Sequence, residues 1–361
     1  MNIILGADGY IGAELSYQIE AHVVDNYYKR NLLQSLEIKP LYKTPFLYTR
    51  GFERAENPDI ASYCKAEYLI NRYKPDIVID LSEQPSAPYS MINPDTGIDT
   101  IRNNLMGTLN LIYAIRDYSP HTHLIKLGTM GQFGTPNFQI EEGFMDIEHK
   151  GRKDTIPVPT NPYSIYHLSK AYDSEALRFA CNVWGLKVTD LQQGFVHSLV
   201  NYDEPTRFCY DGIFGTALNR FMIQAIAGHP LTVYGEGGQT RGILHLQDTI
   251  QCIKLAMENP PEEGEYRVAN QLTEWKSINE LAGLVSEAAQ RHGIRTHVEH
   301  YRNPRKEKES HYYKVTHKVM EDYGLKPHLL TVDMIAETME FLKQYKENIE
   351  VDQILNSPRW S

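Results

Sequence analysis

The sequence predicts an α/β protein, a doubly wound parallel sheet with a smaller α/β domain attached, on three observations. The first is the run Asn2 to Leu5, apolar enough for a buried parallel strand, which passes directly into Gly6-Ala-Asp-Gly9-Tyr-Ile-Gly12 and a helical stretch over Ala13 to Ala21. The second is repetition: further buried runs at Asp76 to Leu81 and His123 to Leu127 alternate with helical periodicity at Ala61 to Tyr73 and about Asp99 to Asp117. The third is a change of pattern after Gln192-Gln193-Gly194-Phe195, which ends a strand begun at Lys187. Beyond it lie a helix over Phe214 to Ala227, a short strand over Leu231 to Gly235, and amphipathic spacing at Ser277 to Arg291 and Val332 to Tyr345. Residues 1–193 are therefore read as a dinucleotide domain, with 242–270 returning to it. Residues 194–241 and 271–346 form the substrate side, and 347–361 a peripheral tail.

Each element carries a reason. Glycines at Gly6, Gly9 and Gly12 let the backbone approach a pyrophosphate, seated on the helix amides around Tyr10 and Ile11. A glycine triplet that follows a strand and opens a helix marks a Rossmann-like dinucleotide site. The strand His22 to Val24 ends in Asp25, followed by Asn26. A carboxylate there accepts the adenosine ribose hydroxyls and repels a 2′-phosphate, which favours NAD, although Lys29 and Arg30 nearby leave NADP open. Residues 31 to 58 read as mostly irregular. Asp59 and Ile60 either hold the adenine ring or start a helix. Leu81, Asn104 and Gln193 complete the cofactor-side candidates.

Tyr166 and Lys170, four apart, share one helix face. There an ammonium can lower a phenol from its ordinary pKa of ~10 and make it a proton acceptor while hydride leaves the same carbon. The strand His123 to Leu127 delivers Gly128-Thr129-Met130-Gly131 at its carboxyl end, where ligands of open parallel sheets lie.

Bulk properties narrow the partners. The 361 residues are 42% hydrophobic and 23% charged, ample for a large core. A net charge of −10 disfavours nucleic acid and anionic membranes. Cys64, Cys181, Cys209 and Cys252 are scattered and point to a reducing compartment, not a zinc site. His121 and His123 lack further ligands at metal-site spacing. With no long apolar run and no leader segment, the expectation is a cytoplasmic protein without a metal.

The chain also resembles the extended short-chain dehydrogenase/reductases that act on nucleotide sugars, and within them the UDP-sulfoquinovose synthase group. The resemblance is carried by Glu83-Gln84 with Ser86-Ala-Pro-Tyr89-Ser90-Met91, Asn103-Asn104-Leu-Met-Gly107-Thr108, Gly128-Thr129-Met130-Gly131 and Phe133-Gly134-Thr135-Pro136-Asn137. It continues through Ile140-Glu141-Glu142-Gly143, Tyr166-His167-Leu168-Ser169-Lys170, Phe214 to Phe221, Gly228 to Gly235, Gly238 to Gly242 and His311-Tyr312-Tyr313. Together these stretches span nearly the whole chain.

The resemblance implies NAD as cofactor, UDP-glucose and sulfite as substrates, and a homodimer paired through helices near Asp99 to Asp117 and Tyr163 to Trp184. It also implies a reaction that oxidises carbon 4, eliminates water across carbons 5 and 6, adds sulfite at carbon 6 and reduces carbon 4 again. Thr129, Tyr166 and Lys170 are the implied catalytic triad. The 4,6-dehydratases carry Asp-Glu where this chain has Met130 and Gly131, so His167 becomes the candidate for a proton transfer, with Glu83 and Glu142 as alternatives. Substrate candidates are Glu83, Gln84, Ser86, Thr129, Met130, Gly131, Gln193, Asn219, Thr232, Tyr234, Gln239, Arg241 and Arg305. Arg241 suits a diphosphate because a guanidinium fork matches phosphate oxygens, whereas Arg305 lies in a charged run that also reads as exposed loop. One departure stands out: plant-type members have an arginine where this chain has Pro85. A 4-epimerase or 5,6-dehydratase sharing the first oxidation is the alternative reading, and a non-catalytic NAD sensor a third.

Overall fold

The computed structural model describes residues 1–45, 59–305, 308 and 312–355. Its centre is a six-stranded, wholly parallel sheet. The strand order is Tyr266–Gln271, Lys187–Gln193, His123–Thr129, Ile77–Asp80, Asn2–Leu5 and His22–Val24. Successive side chains of a strand face opposite sides, so Ile3 and Ile4, both wholly buried, serve two different cores. Ile3 joins Val78, Leu124 and Val188 under the helices Tyr63–Tyr73, Gly107–Tyr118 and Ile165–Trp184. Ile4 joins Ile79, Ile125 and Leu191 under Tyr10–Gln18 and Leu246–Glu258. The order in which successive strands are added reverses between Asn2–Leu5 and Ile77–Asp80, and ligands of such sheets bind at the carboxyl ends flanking that point.

The second body is built on a three-stranded sheet (Phe195–His197, Thr240–His245, Glu274–Ser277) and a parallel pair (Leu231–Tyr234, Val298–Tyr301). The helices Ala217–Ala227, Ile278–Arg291 and Val332–Lys343 close its core around Phe221, Val285 and Met339. Of the stretch 242–270, the strand Thr240–His245 pairs in this smaller sheet, while Leu246–Glu258 and Tyr266–Gln271 attach to the large one.

Besides the segment 347–355, expected to be peripheral but anchored by the fully buried Ile354 in the second body's core, two elements depart from the sequence expectation. A helix, Tyr28–Ser35, begins the stretch read as irregular. Only Leu32 and Leu33 of it are buried, too few apolar positions to declare a period. The other departure is the helix expected over Asp99 to Asp117. It is instead two helices, Pro94–Ile101 and Gly107–Tyr118, joined by a π-helical turn over Arg102–Met106. Such widened turns often sit beside functional sites. Residues 46–58, 306–307, 309–311 (His311 among them) and 356–361 lie outside the described residues. Among the described residues no helix is long and apolar enough to cross a membrane.

Candidate active site

A cavity of about 600 Å³ runs along the carboxyl ends of the central strands and under the second body. Its walls include Gly6, Gly9, Tyr10, Ile11, Gly12, Asp25, Asn26, Asp59, Ile60, Leu81, Glu83, Ser86, Thr129, Met130, Gly131, Tyr166, His167 and Gln193. From the second body come Asn219, Thr232, Tyr234, Gln239, Arg241 and Arg305.

Three expected residues do not line it. Asn104 is fully buried in the π turn, where its Oδ1 accepts from the Gln84 amide (2.9 Å) and its Nδ2 donates to Ser169 Oγ (3.0 Å). Gln84, also fully buried, donates to Thr100 Oγ1 and to the Ser86 carbonyl, so it shapes the loop and does not face the cavity. Lys170 sits behind the wall, as described below.

The catalytic face is set by the amino-terminal end of Ile165–Trp184. Ser164 caps this helix by accepting from the His167 amide at 3.1 Å, and Ser90 Oγ accepts from the Tyr166 amide at 3.0 Å. Tyr166 is thereby pinned to both the helix start and the 85–91 segment. Burial pushes its phenol well above the ordinary tyrosine value and the Glu83 charge adds to this, while a hydrogen bond with Thr129 works the other way. Thr129 Oγ1 also accepts from the Gly131 amide at 3.2 Å, which fixes its rotamer beside Tyr166.

The neighbouring pair explains itself sterically. A Cβ on Gly131 would overlap His167 Nε2, so only glycine lets the imidazole lie there. The ring therefore occupies the space a side chain at 131 would fill, and Ser164 Oγ holds its Nδ1 at 3.1 Å. Met130 is 5% exposed and packs chiefly with Phe133, Ile140, Val158 and Leu272.

Behind Tyr166 lies a largely buried ionic cluster, of which Glu83 reaches the cavity wall. Lys126 Nζ lies 2.5 Å from both Asp80 and Glu83, and Lys170 Nζ binds Glu83 and the Leu127 carbonyl. Burial alone would raise the Glu83 carboxyl, but the Lys126 and Lys170 ammoniums overcome it and hold the group at about 2. Asp173, 3.7 Å from Lys170, goes the other way: burial and the Glu83 charge keep it protonated well above the usual carboxylate range. Two ammoniums thus face the two carboxylates of Asp80 and Glu83. Lys170 is committed to Glu83, and the net effect on Tyr166 is upward, contrary to the lowering expected from the Tyr-Lys spacing.

Glu142 is also unavailable for proton transfer. Its Oε1 accepts from the Asn270 amide and its Oε2 from the Lys318 and Val319 amides, binding three backbone donors between two segments.

Residues 2–270 match the model of the NAD dependent epimerase/dehydratase family. The chain is 42% identical to the chloroplastic UDP-sulfoquinovose synthase of Spinacia oleracea, covering 99% of this chain and 78% of the relative. It is 37% identical to a UDP-sulfoquinovose synthase of Sulfolobus acidocaldarius, over 96% and 94%. The chain belongs to this family, on its UDP-sulfoquinovose synthase branch. Among solved structures, a Thermotoga maritima UDP-glucose 4-epimerase with UDP-glucose superposes with a TM-score of 0.71 at 19% identity, covering 95% of this chain and 99% of that one. A dTDP-glucose 4,6-dehydratase of Streptomyces venezuelae with NAD bound gives 0.70 at 17% identity, covering 95% and 97%. At such identities the likeness concerns the fold.

The family's NAD fits the residues present. A Cβ on Gly12 would collide with the Gly6 carbonyl and one on Gly6 with the Leu81 carbonyl, so both glycines permit the tight strand-to-helix turn. Gly9 caps Tyr10–Gln18 with no side-chain hydrogen bond, so no cap side chain covers the first amides. Asp25 closes the next strand, and its two oxygens accept from the Asp8 amide (2.7 Å) and the Tyr27 amide (2.6 Å). Arg30 is engaged by Asp8 at 2.5 and 2.8 Å. It is therefore held away from the role of a 2′-phosphate ligand. Asp59 Oδ1 accepts from the Ala61 amide in the turn before Tyr63–Tyr73, whose N-cap is Ser62, and Asp59 lines the cavity.

On the second body Asn219 Nδ2 donates to the Cys209 carbonyl and Gln239 Nε2 to the Tyr234 carbonyl. Gln239 Oε1 and Gln193 Nε2 are buried without protein partners. Thr232 is tied through its amide and hydroxyl to Gln224. Arg241 Nη1 donates to the Thr240 carbonyl, and Arg305 takes Asn303 Oδ1 on its backbone amide. Sequence reasoning missed Arg220, whose guanidinium stacks on Tyr234 and whose Nε is buried without a partner. It also missed Lys126. The visible signal was a lysine inside the apolar run His123 to Leu127, a position that demands buried counter-charges. Arg207 and Cys209, on the wall beside Lys29, carried no motif.

Proposed function

We propose that this chain converts UDP-glucose and sulfite to UDP-6-sulfoquinovose with release of water. The observation that carries the reading is the pairing of Gly131 with His167. Where the 4,6-dehydratase pattern has two carboxylates, this site offers a buried Met130 and an imidazole. The near full-length likeness to two UDP-sulfoquinovose synthases supports the same conclusion.

When bound, NAD would supply the acceptor and later the donor of the hydride exchanged at sugar carbon 4. Tyr166 accepts the carbon-4 hydroxyl proton, with Thr129 bridging hydroxyl and phenol. Burial that raises the phenol makes the phenolate a stronger base once formed. Lys170, held by Glu83 and the Leu127 carbonyl, anchors the helix behind Tyr166 and keeps the phenol in place. A ketone at carbon 4 acidifies the hydrogen on carbon 5. His167 then moves protons between carbon 5 and the departing 6-hydroxyl, since an imidazole nitrogen can both accept and donate a proton. Sulfite's sulfur pair forms the bond to carbon 6, the double-bond electrons shift to carbon 5, and a proton returns there. Arg241 and Arg220 offer forks to the diphosphate, and Asn219, Thr232, Tyr234 and Gln239 line the place of the uridine. On this reading residues 1–193 with most of 242–270 hold the cofactor, and 194–241 with 271–346 hold the nucleotide sugar.

The working form is a homodimer. Ile98, Met106, Phe179 and Val183 lie exposed on the helices Pro94–Ile101, the π turn and Ile165–Trp184. Four cysteines without disulfides among the described residues agree with cytoplasmic residence, which cell fractionation would test.

The deciding experiment is incubation of the NAD-loaded protein with UDP-glucose, with and without sulfite, followed by mass analysis. A sulfonated UDP-hexose formed only with sulfite is expected. A product isobaric with UDP-glucose, or one lacking water, in both samples would mean an epimerase or a dehydratase.

A further inference from the structure

Lys29 lines the cavity, and the reaction above leaves it without a role. It enters from the first turn of Tyr28–Ser35, and its ammonium lies over the Phe214 ring on the cavity wall. Among the described residues no carboxylate lies within ion-pair distance of it. Burial pulls the group down to about 7, with Asp211 among the nearby groups pulling the other way.

The carboxylates nearby are spoken for. Asp8 is shared by Arg30 and by Arg207, whose Nη2 lies 3.1 Å from it. Asp211 Oδ1 accepts from the Ile213 and Phe214 amides at 2.9 and 2.7 Å. Both Asp25 oxygens hold backbone amides. The Cys209 thiol is raised by burial and is neutral at physiological pH. An ammonium so enclosed is costly unless an anion joins it.

The wall around Lys29 reaches the catalytic face. Phe214 stacks on Tyr89 at 6.2 Å, Ser86 Oγ donates to the Ile213 carbonyl at 2.5 Å, and Ser90 holds the Tyr166 amide. Pro85, on the same wall, brings no charge of its own.

The geometry points to an oxyanion subsite made by the Lys29 ammonium with the Arg207 guanidinium beside it, and to sulfite as the anion it takes. The second half of this inference rests on the proposed synthase activity. The first half stands on the enclosed ammonium alone. Other oxyanions of the cavity, the pyrophosphate of NAD above all, are the competing occupants.

The test is Lys29→Met in the full, NAD-loaded protein, with Lys29→Arg as the conservative control. Expected is a rise of at least tenfold in KM for sulfite, with bound NAD per chain and KM for UDP-glucose unchanged, and recovery in Lys29→Arg. In parallel, calorimetry with sulfate, an unreactive oxyanion, should show binding to the native protein and at least tenfold weaker binding to Lys29→Met. Loss of bound NAD from Lys29→Met would assign the lysine to the cofactor and overturn the inference. Equal sulfate binding by both proteins would overturn it as well. Native protein that binds sulfate through Lys29 yet yields no sulfonated sugar would keep the subsite and sink the synthase reading.

Discussion

At the scale of single residues, the site is governed by which groups burial leaves able to move a proton. Glu83 and Glu142 are both withdrawn, one by two lysines and one by three backbone amides. Tyr166 and His167 stand on the catalytic face of the cavity. Replacement of Tyr166 by Phe should therefore lower kcat by about 10²–10⁴-fold, the usual weight of one acid–base group, while bound NAD is retained. Turnover assays with cofactor quantitation check this, and full activity would remove the phenol from the mechanism. Gly131 gives a second, independent handle. Because a Cβ there would overlap His167 Nε2, Gly131→Ala should displace the imidazole and reduce kcat about as much as His167→Asn. The double variant should then be no slower than either single one, since residues acting as a unit are not additive. A fully additive loss in that cycle would separate Gly131 from His167.

At the scale of elements, the strand His123–Thr129 carries Lys126 into the interior to meet Asp80 of the next strand and Glu83 beyond it. Removing one partner of such a buried pair strands a charge, so Lys126→Met should cost about 3–5 kcal/mol in denaturant unfolding. Adding Asp80→Asn and Glu83→Gln should recover much of that loss. The pH dependence follows from Glu83, whose folded pKa is about 2 against a model-compound value of 4.5. A depressed carboxyl contributes stability that is complete above 4.5 and is lost as pH falls toward 2. Unfolding curves between pH 4.5 and 2 should accordingly fall less steeply for Glu83→Gln than for the native protein. These ionic partners were not legible in the sequence, because strand register decides which residues meet, and register is a property of the assembled sheet. The glycine turn, the parallel strands and the Tyr-Lys face were legible, since each is a local pattern with its own period. The π turn was not legible because so short a stretch has too few apolar positions to reveal a one-residue insertion, and its consequence, Asn104 turned into the core, is what reveals it.

At the scale of the whole molecule, the two bodies meet over one cavity, and the opposite face of the large sheet's helices is left apolar. Ile98 is 66% exposed, Val183 60%, Phe179 48% and Met106 42%, on helices that pack side by side. A groove of the same character runs between Met91, Ile98, Ile101, Met106 and Ile165. Exposed apolar surface of this extent marks an interaction site, and a patch on adjacent helices suits a self-complementary two-fold contact. The Ile165–Trp184 helix that carries Val183 and Phe179 also carries Tyr166, Lys170 and their cap Ser164. Pairing through it would stiffen the catalytic helix from behind, linking assembly to activity. Phe179→Asp combined with Val183→Glu should convert a dimer into a monomer at micromolar concentration in sedimentation velocity, because charges buried in such a contact have no partners. Activity per chain should fall with the monomer fraction and recover at high protein concentration. A native protein that sediments as a monomer, or a double variant that stays dimeric, would move the interface to another face.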